Sequence, residues 1–173
     1  MVWRESWRAD PVARRIADRH YNRQKVGATQ FVPPGRCLVL LADGALWVTS
    51  WPFAEYVKHE WAGAWVNSLF RRESADLPRA SDMIRAAVAV TRWKWEPPSL
   101  GIITFVDADK VRRKRDPGRC YRKAGFRHVG YTKGGLLAFQ MIPENMPAAA
   151  PPLLEQTMLD LTSLSPPHGG DDE

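Results

Sequence analysis

Four groups of side chains sit at spacings that invite chemistry: His20-Tyr21, Asp107, Tyr121, and a basic run lying between the last two. Asp107 follows Thr104-Phe105-Val106, the end of a largely apolar run, which places a carboxylate where a buried strand emerges at the rim of a layered fold. From there it can orient or deprotonate an amine, or cap the turn that follows, and Asp109 is an equal candidate for the same work. His20 closes the first helical stretch, where the helix dipole favours an imidazolium. With Tyr21 and Asp107 it could hold a base or a metal ion; one histidine and one carboxylate are too few ligands to name a metal, so that question stays open. Tyr121 begins Tyr121-Arg122-Lys123-Ala124-Gly125-Phe126, a short helix turned into a strand by a glycine suited to the left-handed C-terminal position. On a purely structural account Tyr121 packs on Phe126.

Lys110, Arg112, Arg113, Lys114, Arg115 and Arg119 precede Tyr121, and Arg122 and Lys123 follow it. This is the densest positive stretch of the chain. Lysine and arginine release counterions from a phosphate backbone and fix its register without reading bases, so the run points to DNA, although such runs also serve as solvated surface. The whole chain carries 25 Lys and Arg against 19 Asp and Glu, a net charge of +6, which favours a polyanionic partner. Eight tryptophans are many for 173 residues, and an enzyme that modifies a base must stack it once flipped. Trp51-Pro52-Phe53 and Phe31 are the expected platforms, while Trp93 and Trp95 are expected to pack under the end of a central helix. Cys37 and Cys120 form neither a disulfide framework nor a zinc knuckle. With no apolar core for a secretion signal and no run long enough to span a bilayer, the expected place is a cytoplasm, with no membrane partner.

These residues need elements to position them. Asp10-Pro11 opens a helix expected through about residue 21, with Val12, Ile16 and Ala17 on one face, followed by a long surface loop over 22–35. Residues 37–41 and 45–51 flank Ala42-Asp43-Gly44, a hairpin signal. A strand over 65–72, a loop containing Pro78, and a central helix over 82–95 with Ser81 as its N-cap come next. Glu96-Pro97-Pro98 ends that helix, and 101–106 reads as a strand buried mid-sheet. Strands over 126–131 and 136–142 close the series around Thr132-Lys133-Gly134-Gly135. Residues 1–142 therefore make one domain, and 143–173, rich in Ala and Pro, make a mobile tail whose Leu153, Leu154, Met158 and Leu161 could dock.

The Tyr121-x-x-x-Gly125-Phe126 turn and the order of elements resemble the GNAT acyltransferase superfamily. The resemblance covers residues 10–142 and implies an α+β fold of three layers, a mostly antiparallel twisted sheet flanked by helices, whose middle strands part for a pantetheine chain. It also implies that Tyr121 protonates a leaving thiolate. The loop before the central helix lacks the superfamily's Gly-x-Gly cradle for the coenzyme A pyrophosphate; Ser74, Ala75 and Ser81 are small enough for a weaker version, and Arg71 or Arg72 could reach a phosphate. His20-Tyr21, Phe70-Arg71-Arg72-Glu73, Asp107 and Tyr121, in that order, are similar to the Mom family of phage DNA-modification proteins, a divergent GNAT branch. That likeness implies transfer of a carbamoylmethyl-like group to the exocyclic amine of adenine in DNA, with acetyl-CoA or another acyl-CoA-related compound as a possible donor. It also assigns chemistry to His20, Tyr21, Asp107 and Tyr121. The rival readings are an ordinary acetyltransferase acting on a protein or small amine, and a nucleic-acid-binding module that kept the fold without the chemistry.

Overall fold

A computed structural model describes residues 2–111 and 116–154. Seven strands, β1 (Arg4–Glu5), β2 (Arg36–Ala42), β3 (Ala45–Trp51), β4 (Trp65–Arg72), β5 (Ile102–Val106), β6 (Arg127–Tyr131) and β7 (Leu137–Met141), form one open sheet in the order β1-β2-β3-β4-β5-β7-β6. All neighbours are antiparallel except β4 and β5. Helix α1 (Pro11–Asp18) covers one face, while α2 (Ala80–Lys94) and the short α3 (Arg119–Ala124) lie against the other, so the domain is α+β in three layers.

The alternation of β2 and β3 builds both cores. Leu38, Leu40 and Trp47 point toward α2, joining Met83, Ile84, Ala87 and Val88. The intervening Val39, Leu41, Leu46 and Val48 point toward α1. Helix α1 starts where Asp10 accepts a hydrogen bond from the Val12 N–H at 2.8 Å and Pro11 takes the first helical position. It buries Ala13, Ile16 and Ala17; Val12, expected on that face, is exposed, because residues spaced by three and four from Ile16 and Ala17 bring Ala13 inward. The central helix begins at Ala80 with Arg79 at its N-cap, so Ser81 lies inside the first turn.

Two features of β4 matter for function. Its register against β3 slips between Val48 and Thr49, which pair with Leu69 and Asn67, leaving Ser68 as the extra residue of a bulge. The slip moves the side-chain alternation by one, so Trp65 and Asn67 are buried on the α2 side while Leu69 joins the α1 side. β4 also pairs with β5 only over Trp65, Val66 and Asn67, matched to Ile102, Ile103 and Thr104. Beyond that point β4 continues to Arg72 and β5 to Val106 without pairing to each other, and the sheet opens into a fork.

The chain does not leave the body at residue 142. Met146 is buried, the Ala150 N–H donates to the Ala89 carbonyl at 3.1 Å, and the Leu153 N–H donates to Trp3 at 2.8 Å. The segment 143–154 is thus held by backbone bonds to α2 and to Trp3 just before β1, which its Ala-Pro composition conceals; residues 155–173, including Met158 and Leu161, lie outside the described residues. Among the described residues no helix is long and apolar enough to cross a membrane.

Candidate active site

The fork is closed from below by Tyr121. Its hydroxyl donates to Asn67 Oδ1 at 2.8 Å, and the Thr104 hydroxyl reaches the same oxygen at 3.1 Å. The Asn67 amide is fixed by its other end: Nδ2 donates to the Val48 carbonyl at 3.1 Å and to the Leu69 carbonyl at 2.9 Å, beside the bulge. Burial pushes the Tyr121 phenol well above its ordinary value, with a smaller upward push from Cys120, against a hydrogen bond from Thr104. Tyr121 therefore keeps its proton and holds it on Asn67. It also packs edge-on against Phe126 at 5.4 Å, as the structural account of the sequence expected.

Above the fork lies a cavity of about 780 Å³ lined by His20, Tyr21, Phe70, Arg71, Asp109, Lys110 and Tyr121 among others. His20 and Tyr21, remote in sequence from Tyr121, thus reach the same cleft. The turn after α1 carries them there, with the His20 N–H bonded to the Ala17 carbonyl. Their rings stack at 4.5 Å between centroids, 28° apart. Burial raises the Tyr21 pKa; the Asp107 backbone N–H bonded to the phenol oxygen opposes that shift, and the charge on Asp107 adds to it. A hydroxyl that accepts a backbone N–H keeps its own proton to donate. Tyr21 thereby bridges the α1 side of the fork to the end of β5.

Asp107 itself turns inward on its own backbone: Oδ1 accepts from the Asp109 N–H at 3.0 Å and the Lys110 N–H at 3.3 Å. Its carboxylate caps a turn, and the acid that lines the cleft is Asp109. The expected phosphate-binding residues have structural partners. Arg72 donates to the carbonyls of Leu77 at 2.7 Å, Pro78 at 2.8 Å and Ala75 at 3.4 Å, and so shapes the loop that was to cradle a pyrophosphate. Ser74 Oγ accepts from the Asp76 N–H at 3.2 Å. Arg71 donates to Glu73 at 2.6 Å, and Arg19 grips the same carboxylate with two bonds of 2.5 and 2.6 Å. Arg19, with help from Arg71, holds Glu73 at a pKa of about 2, below its ordinary 4.5.

That depression has a defined sign. The stabilisation from Glu73 is fully present above about 4.5 and is lost as the pH falls toward about 2. Glu73→Gln is expected to lower the urea midpoint at neutral pH and to match the native protein near its acid limit. Equal midpoints at both ends would show that the Arg19–Glu73–Arg71 cluster contributes nothing to folding.

A second cavity of about 500 Å³ adjoins the first and is lined by Arg79, Ser81, Arg119, Cys120 and Lys123, with Asp116 among them. Arg122 is paired with Asp116 and lies 5.7 Å from the centre of the Phe139 ring. Lys110 lines the first cleft. Arg112, Arg113, Lys114 and Arg115 lie outside the described residues. Among the described residues no group of three or more His, Cys, Asp or Glu is arranged to hold a metal ion.

The aromatic platforms expected for a flipped base lie elsewhere. Phe31 is buried in the α1 core, and Trp51 is covered by the Arg36 guanidinium at 4.0 Å at the far end of β3. Phe53 is exposed but stands in that same distant loop. At the cleft the rings are His20, Tyr21, Phe70 and Tyr121. Trp95 packs on Trp51 and Trp65 as expected, whereas Trp93 is 51% exposed, since the last turn of α2 rotates it outward. Asn67, Thr104 and Asn22 were missed by sequence reasoning. The signal for the first two was a polar residue at an inward position of an otherwise apolar strand. Comparison with protein-family models, with curated proteins and with solved structures finds no match for this chain.

Proposed function

We propose that this chain is a group-transfer enzyme on a GNAT-like scaffold that modifies the exocyclic amine of adenine in DNA, as its likeness to the Mom family implies. The observation that carries the reading is the convergence of His20, Tyr21 and Tyr121, separated by about a hundred residues of chain, on one cleft at the parting of β4 and β5. Lys110 at this cleft and Arg79, Arg119 and Lys123 at the adjoining cavity supply the positive rim that a phosphate-bearing donor and a DNA backbone both require. Three cations beside the start of α2 suit a donor of the acyl-CoA class in charge, without the backbone cradle of glycines.

A bound donor of that class would supply an electrophilic carbon and a thiolate leaving group. His20 takes the proton that the adenine amine loses as its nitrogen bonds to that carbon. Tyr21 donates its phenolic proton toward the departing sulfur, and exchange with solvent restores both side chains. Tyr121, its proton committed to Asn67, acts as the strut that holds the fork open.

Nucleoside mass spectrometry of DNA from cells expressing the protein tests this directly. A heavier deoxyadenosine is expected, lost in His20→Ala and Tyr21→Phe and retained in Asp107→Asn, which keeps the turn cap. An unshifted profile, combined with tight binding of acetyl-CoA, would transfer the reading to an ordinary N-acetyltransferase. DNA binding that survives every substitution with no modified nucleoside and no donor binding would leave a binding module.

A further inference from the structure

Resting on the reading of His20 as the base, we infer that Asn22 is its positioning residue, fixing the imidazole tautomer through a carboxamide held on the β4 bulge. Asn22 Oδ1 lies 2.5 Å from His20 Nδ1, and Asn22 Nδ2 donates to the Ser68 carbonyl at 3.0 Å. Ser68 is the extra residue of the bulge. Because that carbonyl can only accept, it must face the amide nitrogen, and so the amide oxygen must face the histidine. Two lone pairs cannot approach to 2.5 Å, so Nδ1 carries the proton and donates it. The Asn22 N–H at 3.2 Å from Nδ1 is the weaker contact and yields to this assignment.

In the neutral ring the lone pair then resides on Nε2, in a side chain that lines the cleft. Tyr21, stacked on the imidazole, fixes the ring plane, and Asn22 fixes its sense. The segment that carries Asn22 is itself tied down. Arg23, its side chain 8% exposed, donates to Asp18 at 2.7 Å, to the Ala28 carbonyl at 2.8 Å and to the Gln30 carbonyl at 3.2 Å. The long loop after α1 thus serves as a rigid arm. It couples the base to the same bulge whose carbonyls orient Asn67 and, through it, Tyr121.

The test reads the His20 ring nitrogens by NMR in uniformly 15N-labelled protein, at a pH where the imidazole is neutral. The native protein should show the Nδ1–H tautomer. Asn22→Ala should shift the ring to Nε2–H, the form that predominates in free imidazole side chains, and Asn22→Asp, which keeps the acceptor but loses the bond to the Ser68 carbonyl, should restore Nδ1–H in part. An Nε2–H ring in the native protein, or an Nδ1–H ring that persists in Asn22→Ala, overturns the inference whatever the enzyme does. Where deoxyadenosine modification is measurable, Asn22→Ala should reduce kcat about 10–100-fold with KM unchanged, and Asn22→Asp should recover part of it. A tautomer shift in a protein that modifies no DNA would sustain Asn22's role while removing the proposed reaction.

Discussion

Asn67→Ala is expected to be among the most destabilising single changes in this protein. The side chain serves four buried partners at once: the hydroxyls of Tyr121 and Thr104, and the carbonyls of Val48 and Leu69. At ~1 kcal/mol for each bond lost, with the two carbonyls left dry and the two hydroxyls left with each other, the sum is about 3–4 kcal/mol, in the range reserved for broken buried networks. Urea unfolding of the variant checks it; a loss below about 1 kcal/mol would mean that water enters the fork and satisfies the orphans. Asn67→Asp separates the two halves of the network. It keeps the acceptor for Tyr121 but turns a carboxylate toward two carbonyls, and burial without a countercharge raises its pKa. The carboxyl is protonated in both states below about pH 4, so the variant is least damaged there and loses stability as the pH rises above that. Tyr121→Phe removes the phenol's bonds to Asn67 and Thr104, whose own hydroxyl keeps Asn67 as a partner, and should cost about 1–2 kcal/mol. A larger loss of product than of stability in that variant would return Tyr121 to the chemistry.

Much of the architecture was legible because burial imposes simple periods. The hairpin at Asp43-Gly44, the strand at 65–72, the central helix and the strand expected over 101–106 were all readable, from a turn signal, from apolar runs of strand length and, in the helix, from apolar residues repeating at three and four. The two-residue β1 escaped because it is too short for any period, and the docking of 143–154 escaped because it depends on backbone bonds that composition does not encode. At the site, His20, Tyr21 and Tyr121 were recognisable as reactive types, and the structure brings them to one cleft. Which of them has a proton to give was not recognisable. That depends on Asn67, whose placement follows a one-residue slip in β4, and on the Asp107 N–H just past β5, and no local pattern announces either. The same applies to Arg72, a phosphate ligand by type and a loop clamp by position.

Gly118→Ala is expected to be the second severe change, and a paired variant shows why. Gly118 precedes α3 at φ 81°, and a Cβ there would lie 2.3 and 2.5 Å from two atoms of the Phe139 ring. That ring cannot give way: Phe139 is fully buried, stacked near-parallel to Tyr121 with centroids 6.3 Å apart and tilted against His128 at 5.4 Å. The start of α3 must shift instead, carrying Cys120 and Tyr121 away from the fork. Gly135, at φ 85° in the turn between β6 and β7, has the same backbone requirement and nothing within 4 Å of an added Cβ. Gly135→Ala therefore measures the left-handed strain by itself, about 1–2 kcal/mol. Gly118→Ala adds overpacking to that strain and should cost about 3–5 kcal/mol, with loss of whatever activity the cleft supports. Equal losses in the two variants would show that Phe139 yields to the added methyl, and that the placement of Tyr121 at the fork does not depend on the glycine before its helix.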